Sequence, residues 1–520
     1  MINRACLICF FITTAMLCVQ TGALRDLEAA DDLSGARPNI LFIYTDDQSI
    51  RTVSCYPQAL GWVETPNIDK LASEGIRFAA PYIGTWCMPS RAAMLTGRHQ
   101  YGIESMRLSG TYPASSYIPE QCPFWPSVFR KHGYTTAQIG KWHTGADTGA
   151  LRDWDYQAVW NRPRYPENAS NYYSDQLIEI NGGEPQFVKG YSTDNYTAWA
   201  EDFIRGEHRA ENKPWYLWLC YGAVHGPYLP AERHRNAYPD ITVPVPEDIY
   251  PPRLGKPNWM QKINRWVPGP DGEPVLKSAN GKHSTQMKLS ERVRLYQQAV
   301  MAVDEAVGRL MQVLDETGQK ENTLVVFTSD QGFAWGQHGF AQKLAGYDAN
   351  LLAPLIIRQP GSVPSGKVCQ SPVGGIDLIP TFFNLAGIEL PWTMHGRNLT
   401  PLLTNPEQDW PYGTLLAQTS DCYGSDTATI PTGSKRYWNQ VPWYVMWREG
   451  DYKYIRTLAP DETEELYCLR DDPEELHNLV QNREQQPLLG ELRQKTLDEL
   501  RRTGAPFVEN LPEAGSLQKK

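Results

Sequence analysis

The chain has 520 residues, 41% of them apolar and 21% charged, with 49 basic and 59 acidic side chains and a net charge of -10. At roughly 100 to 200 residues per domain, this length holds a large catalytic domain and a smaller companion, and it excludes a peptide hormone or a single small module. The composition is that of a soluble globular protein, and its acidic balance gives no bulk attraction to nucleic acid or anionic membrane, so an anionic substrate has to be held locally.

A short polar start at Met1 is followed by an apolar stretch from Ala5 to Val19 and by small residues at Thr21, Gly22 and Ala23. This reads as a secretory signal over 1–23, with a polar tether over 24–36. The apolar stretch falls short of the roughly 20 residues that a spanning helix needs, and no such run recurs, so no membrane span is expected. The mature chain is expected to be periplasmic or extracellular, or lysosomal in a eukaryotic source. Cys55, Cys87, Cys122, Cys220, Cys369, Cys422 and Cys468 remain after the leader. Their odd number flags a free or specially used thiol.

Pro38 to Thr45 is an unbroken apolar run of strand length that closes on Asp46 and Asp47, the pattern of a strand buried on both faces of a parallel sheet. Thr65 and Pro66 open a helix that stops near Gly75. Another helix closes at Gly133, and Tyr134 to Ile139 forms the next strand. Trp215 to Gly222 is again strand-like and leads to His225. Between Lys288 and Thr317, Val293, Tyr296, Val300, Val303, Val307, Leu310 and Leu314 recur at helical spacing on one face. Thr323 to Ser329 is a further buried strand, ending at Asp330. This alternation predicts an α/β fold with a large, mostly parallel sheet flanked by helices, and a site at the carboxyl ends of its strands. The catalytic unit is expected over 37–400. Trp443 to Trp447, a turn at Glu449, Gly450 and Asp451, and Tyr452 to Ile455 then predict an antiparallel hairpin in a smaller α+β domain over 401–520.

Cys87, Pro89, Ser90 and Arg91, followed by Leu95, Thr96, Gly97 and Arg98, form the most informative segment. It resembles the type I sulfatase signature C-x-P-S-R with L-T-G-R, in the alkaline phosphatase-like superfamily. That resemblance implies conversion of Cys87 to formylglycine by a maturation enzyme. A serine attacking a sulfate ester would itself become a sulfate ester and need a second displacement at sulfur. A hydrated aldehyde has two hydroxyls, one to attack and one whose deprotonation expels sulfate. The helix that follows Cys87 favours an anion near its start, and Arg91 adds a fixed fork of donors.

The resemblance continues in order along the chain. It implies that Asp46, Asp47, Asp330 and Gln331, with the modified residue at Cys87, bind a hard cation, Ca2+. Gln331 stands where the family more commonly has Asn or His. Gly140, Lys141, Trp142, His143 and Gly145 resemble the G-K-W-H-x-G segment, implying contact of Lys141 with formylglycine and sulfate, and of His143 with the aldehyde hydrate. His225 is implied to lie near the leaving oxygen, able to donate a proton, and Lys343 to clamp the sulfate. His338 is left open between a part in the site and a purely structural role, and Tyr347 with Asp348 is given no catalytic role. The expected activity is hydrolysis of sulfate esters on saccharides. Phosphomonoester or phosphonate ester hydrolysis, and simple binding of a sulfated glycan, are the alternatives.

Tyr250 to Gln286 carries Arg253, Lys256, Lys262, Arg265, Lys277 and Lys282 with Trp259 and Trp266 interleaved. Placed after the His225 strand, it is expected to wall the pocket, with Trp259 stacking on sugar and Lys262 and Arg265 holding further anionic groups.

Overall fold

A computed structural model describes residues 37–103, 107–108, 115–116, 123–277, 287–419, 427–431 and 439–514. The leader and tether, together with Cys122 and Cys422, lie outside the described residues. Ten strands form the main sheet: β1 (Asn39–Thr45), β2 (Ile76–Phe78), β3 (Thr135–Trp142), β4 (Tyr156–Asn161), β5 (Ser174–Ile180), β6 (Gln186–Tyr191), β7 (Trp215–Cys220), β8 (Thr323–Ser329), β9 (Leu355–Arg358) and β10 (Lys367–Cys369). Their spatial order is β10-β2-β9-β8-β1-β7-β3-β4-β5-β6.

The central five, β8, β1, β7, β3 and β4, all run parallel. Antiparallel pairing is confined to the flanks, where β9 opposes β8 and β2, and β5 opposes β4 and β6. Strands β1, β3, β7 and β8 are buried along their whole length, which is why they lack the polar alternation of a half-exposed strand.

Helices cover the sheet: α1 (Pro66–Ser73), α2 (Cys87–Thr96), α3 (Pro126–Lys131), α4 (Ser192–Arg205), α5 (Leu289–Glu316) and α6 (Leu378–Leu385). All seven apolar positions read from the periodicity of α5 are buried, and this helix packs against α1 and α4. Phe382 of α6 meets Phe42 of β1 edge-on at 5.5 Å. Helix α2 begins at Cys87 itself, rather than after it, and is buried throughout. It ends at Gly97, whose φ of 68° is the left-handed conformation that a side chain would strain.

A separate antiparallel sheet follows: β11 (Thr414–Gln418), β12 (Tyr444–Glu449), β13 (Tyr452–Thr457) and β14 (Glu465–Cys468). Helix α7 (Gln486–Arg502) packs on it, with Leu489, Leu492 and Leu500 joining Val445, Trp447 and Leu466 in a second core. Among the described residues, no helix is long and apolar enough to cross a membrane.

Candidate active site

Parallel pairing of β1 with β8 sets Thr45 beside Ser329. Asp46 and Asp330 therefore emerge side by side at the same sheet edge. The backbone N–H of Asp47 donates to Asp330 Oδ1 at 2.9 Å, locking the two strand ends together. Lys141, at the end of β3, reaches across to Asp46 Oδ2 in a fully buried ion pair. Cys87 lies in the first turn of α2, and Arg91, one turn later, bonds Asp330 Oδ2 at 3.0 Å and approaches Asp46 Oδ1 at 3.8 Å. Lys343, from the loop after β8, pairs with Asp47 Oδ1 at 2.5 Å while its Nζ stands 3.8 Å from Cys87 Sγ.

Three carboxylates thus face three cations in a place where burial makes an uncompensated charge expensive. Burial alone would raise the Asp46 carboxyl, but Lys141, His225, Arg91 and Lys343 together hold it well below the usual carboxylate range. Burial and then the adjacent Asp46 push Asp330 the other way, upward, against Arg91 and Lys141. Burial lowers Lys141 and Asp46 only partly restores it, whereas for Lys343 the neighbouring Asp47 and Cys87 outweigh burial and raise it.

The donor set fits a hard cation. Oxygens from Asp46 and Asp330 lie within 4.8 Å of one another and of Cys87 Sγ, a soft atom that a hard cation would accept only once an oxygen replaces it. Asp46 Oδ1 and Gln331 Oε1 are buried and accept no hydrogen bond. Gln331 turns its Nε2 toward Asp47, which leaves its oxygen as the free donor. Unmet carboxylate and amide oxygens beside the Asp330 carboxylate suit calcium better than zinc, which prefers nitrogen and thiolate ligands.

A cleft of about 660 Å³ opens above Cys87, lined by Trp86, His143, Arg162, Tyr172, His225 and Lys343 among others. Burial first, then Arg162 and Lys141, hold the His143 imidazole well below its ordinary pKa, so it is neutral. His225 is pushed down to about 3, chiefly by burial, although a quarter of its side chain still faces the cleft. Its Nδ1–H donates to Gly226 O at 2.6 Å, which makes Nε2 the lone-pair nitrogen. Nε2 stands 3.6 Å from Asp47 Oδ2.

Cys87, Arg91, Lys141, His143, His225, Lys343, Asp46, Asp47, Asp330 and Gln331 are thereby gathered at one edge of the sheet. Trp259, Lys262 and Arg265 are not brought to this cleft. Trp259 is buried and its Nε1 donates to Thr457 of the small sheet at 3.2 Å, and Trp266 is buried with its Nε1 on Phe340 O at 3.0 Å. The expected pocket wall is instead a packed connection, because its aromatic faces fill the core where no sugar can reach them. Lys262 is exposed and Arg265 half-buried, and neither lines the cleft. The wall comes from Pro166, Ala169 and Ser170, in the segment after β4, and from Pro227 and Asn439.

Two side chains in that wall have no signature in the sequence. Arg162 contacts the His143 ring at 3.1 Å, and Tyr172 stacks on His225. His338 serves structure, since its Nδ1 pairs with Asp248 at 2.7 Å and its ring packs on Tyr347. Asp348 is held by Tyr82 and Lys453, behind the site.

Known proteins resemble this chain in sequence and in fold. The sulfatase family model matches residues 38–388. An N-acetylglucosamine-6-O-sulfatase of Bacteroides thetaiotaomicron is 29% identical over 85% of this chain and 82% of its own length. The human N-acetylglucosamine-6-sulfatase is 26% identical over 85% of this chain and 81% of its own. A solved structure bound to its substrate, D-glucosamine-2-N,6-O-disulfate, superposes with a TM-score of 0.74 at 26% identity, covering 90% of this chain and 98% of that one. A phosphonate monoester hydrolase from Silicibacter pomeroyi shares the fold, with a TM-score of 0.67 at 22% identity over 91% of this chain and 96% of its own.

Proposed function

Because the chain belongs to the sulfatase family of the alkaline phosphatase-like superfamily and is a sulfuric ester hydrolase, we propose that it desulfates saccharides through a formylglycine made from Cys87, with Ca2+ held by Asp46, Asp47, Asp330 and Gln331. The observation that carries this reading is the position of Cys87, at the start of a buried helix and within 3.8 Å of Lys343 Nζ. No thiol needs that setting merely to pack.

The aldehyde hydrate would supply one hydroxyl for attack on sulfur and a second whose deprotonation releases sulfate. Calcium would offset sulfate charge as a Lewis acid. The chain's own residues do the rest. Lys141, Lys343 and Arg91 fix the sulfate oxygens, each already oriented by a carboxylate. His143, neutral and pinned by Arg162, offers a hydrogen bond to the nucleophile. His225 takes at Nε2 the proton that the attacking hydroxyl gives up as its bond to sulfur forms, and hands it to the sugar oxygen as the ester bond breaks. One water is consumed overall.

Similarity to enzymes of 6-sulfated glucosamine makes 6-O-sulfated amino sugars the first substrates to try. Export to a periplasmic or extracellular site fits such substrates and the apolar leader. A screen of defined sulfated sugars beside phosphate and phosphonate monoester analogues tests the reading. Release of sulfate from a sugar, absent in Cys87→Ala, is the expected result. Turnover of the phosphorus esters alone would overturn it.

A further inference from the structure

Arg448, near the end of β12, is only 9% exposed, and its Nε and Nη1 are buried without a hydrogen bond. A guanidinium keeps its charge and carries its N–H donors in a rigid fork, so leaving them unmet in the interior is costly. Its strand neighbours do not meet them. Lys453, directly opposite on β13, takes Asp348 and Glu475 as its own partners, and Thr414 lies opposite on β11. Arg448 lines a cleft of about 300 Å³, where the segments after β1 and β2 meet the small sheet. This cleft shares no lining residue with the one above Cys87. The carboxylates on its wall are already matched: Glu474 holds Arg51 at 2.9 Å, Asp451 holds Arg470 at 2.9 Å, and Asp348 holds Lys453. Among the described residues, Arg448 is thus the arginine of that wall with no carboxylate against it.

We propose that this cleft is a second binding site, separate from the catalytic one, for an acidic sugar unit whose carboxylate or sulfate group rests on the Arg448 guanidinium. A planar fork of charged donors matches such an oxyanion in geometry as well as in charge. The volume lies at the small end of ligand sites, which suits a single ring. Gln58 and Gln370, both exposed on the wall, offer amide donors and acceptors to ring hydroxyls. A bare oxyanion would use the same guanidinium and leave those amides without a task. The site stands apart from the sulfate-ester reading, since none of its residues lines the catalytic cleft.

The test compares thermal unfolding of the full-length protein with that of Arg448→Met in sodium chloride, sodium sulfate and sodium D-glucuronate at one ionic strength. Anion binding above Cys87 is common to both proteins and cancels in the difference between them. At about tenfold above its Kd, glucuronate is expected to raise the Tm of the unaltered protein by about 2 °C more than that of Arg448→Met, and sulfate by less. Methionine keeps an unbranched stem and removes the buried charge. Arg448→Gln repeats the comparison with a neutral polar end, so the result does not hang on one substitution. A difference with sulfate but none with glucuronate would overturn the sugar and keep the oxyanion. Equal rises in the unaltered protein and both variants, in both salts, would overturn the site and leave the Arg448 donors to buried water.

Discussion

Asp46 accepts from Lys141 at one oxygen and leaves the other without a hydrogen bond, so in the proposed function it has two tasks, one electrostatic and one as a cation ligand. Asp46→Ala would strand the buried Lys141 without its counter-charge. We expect a stability loss of about 3–5 kcal/mol, read by denaturant unfolding, together with loss of calcium binding. Gln331→Asn keeps an amide oxygen at shorter reach and is expected to weaken calcium affinity with no comparable loss of stability. Calorimetric titration with Ca2+ checks the ranking, and equal affinity losses in the two variants would contradict it. The meeting of Asp46 with Asp330 was legible in the sequence because each follows an apolar strand, whereas their reading as ligands came from the resemblance. Arg162 and Tyr172 were not legible, since their histidines lie 19 and 53 residues away and only the crossing of the chain over the sheet brings them together.

Helix α5 shows how one element supports the site from behind. Its periodicity marked Tyr296 as a core residue, but spacing alone says nothing of the hydroxyl, which donates to Asp47 O and accepts from Ser49 N–H at 3.0 Å. Tyr296→Phe is expected to cost about 1–3 kcal/mol, because it leaves a buried N–H and a buried carbonyl unpaired. A thermal unfolding curve matching the unaltered protein would contradict this. The connection from Tyr250 to Lys277 misleads for a related reason: interleaved charge and tryptophan look like a binding wall when the partners are unseen. Arg253 is in fact buried, bonding the carbonyls of Asp248, Ile249, Met260 and Ile263, and Lys256 is buried against Tyr467 and Glu475. Arg253→Ala should destabilise by at least about 3 kcal/mol through those orphaned carbonyls. Neutralising Lys262 and Arg265 should leave KM for a sulfated oligosaccharide within about twofold, and a larger rise would return this segment to recognition.

Across the whole molecule, the ion pairs Lys453–Asp348 and Arg397–Glu499 tie the small sheet and its helix to segments that follow β8 and α6. Lys453 of β13 pairs with Asp348 at 2.6 Å and with Glu475 at 2.8 Å. Glu499 of α7 receives Arg397 and Arg502, each at 2.7 Å. Burial would raise the Glu499 carboxyl, but its hydrogen bonds from Arg502 and Arg397 win and hold it down to about 2. Its folded value lies below the ordinary glutamate value of about 4.3, so the stabilisation is complete above that pH and is lost as pH falls toward 2. Glu499→Gln should therefore flatten the decline of Tm across that window, and an unchanged slope would contradict the assignment. Such long-range pairs are invisible to local sequence patterns, whereas the alternation of strand and helix that builds the sheet is not. We place the chain's activity in a modified Cys87. The most direct test is to prepare the full-length protein with and without a formylglycine-generating enzyme, and to measure sulfate release per molecule against the mass of the Cys87 peptide. Turnover is expected to rise in proportion to the fraction of peptide carrying an aldehyde in place of the thiol. Full sulfate release from protein whose Cys87 remains a thiol would contradict the account.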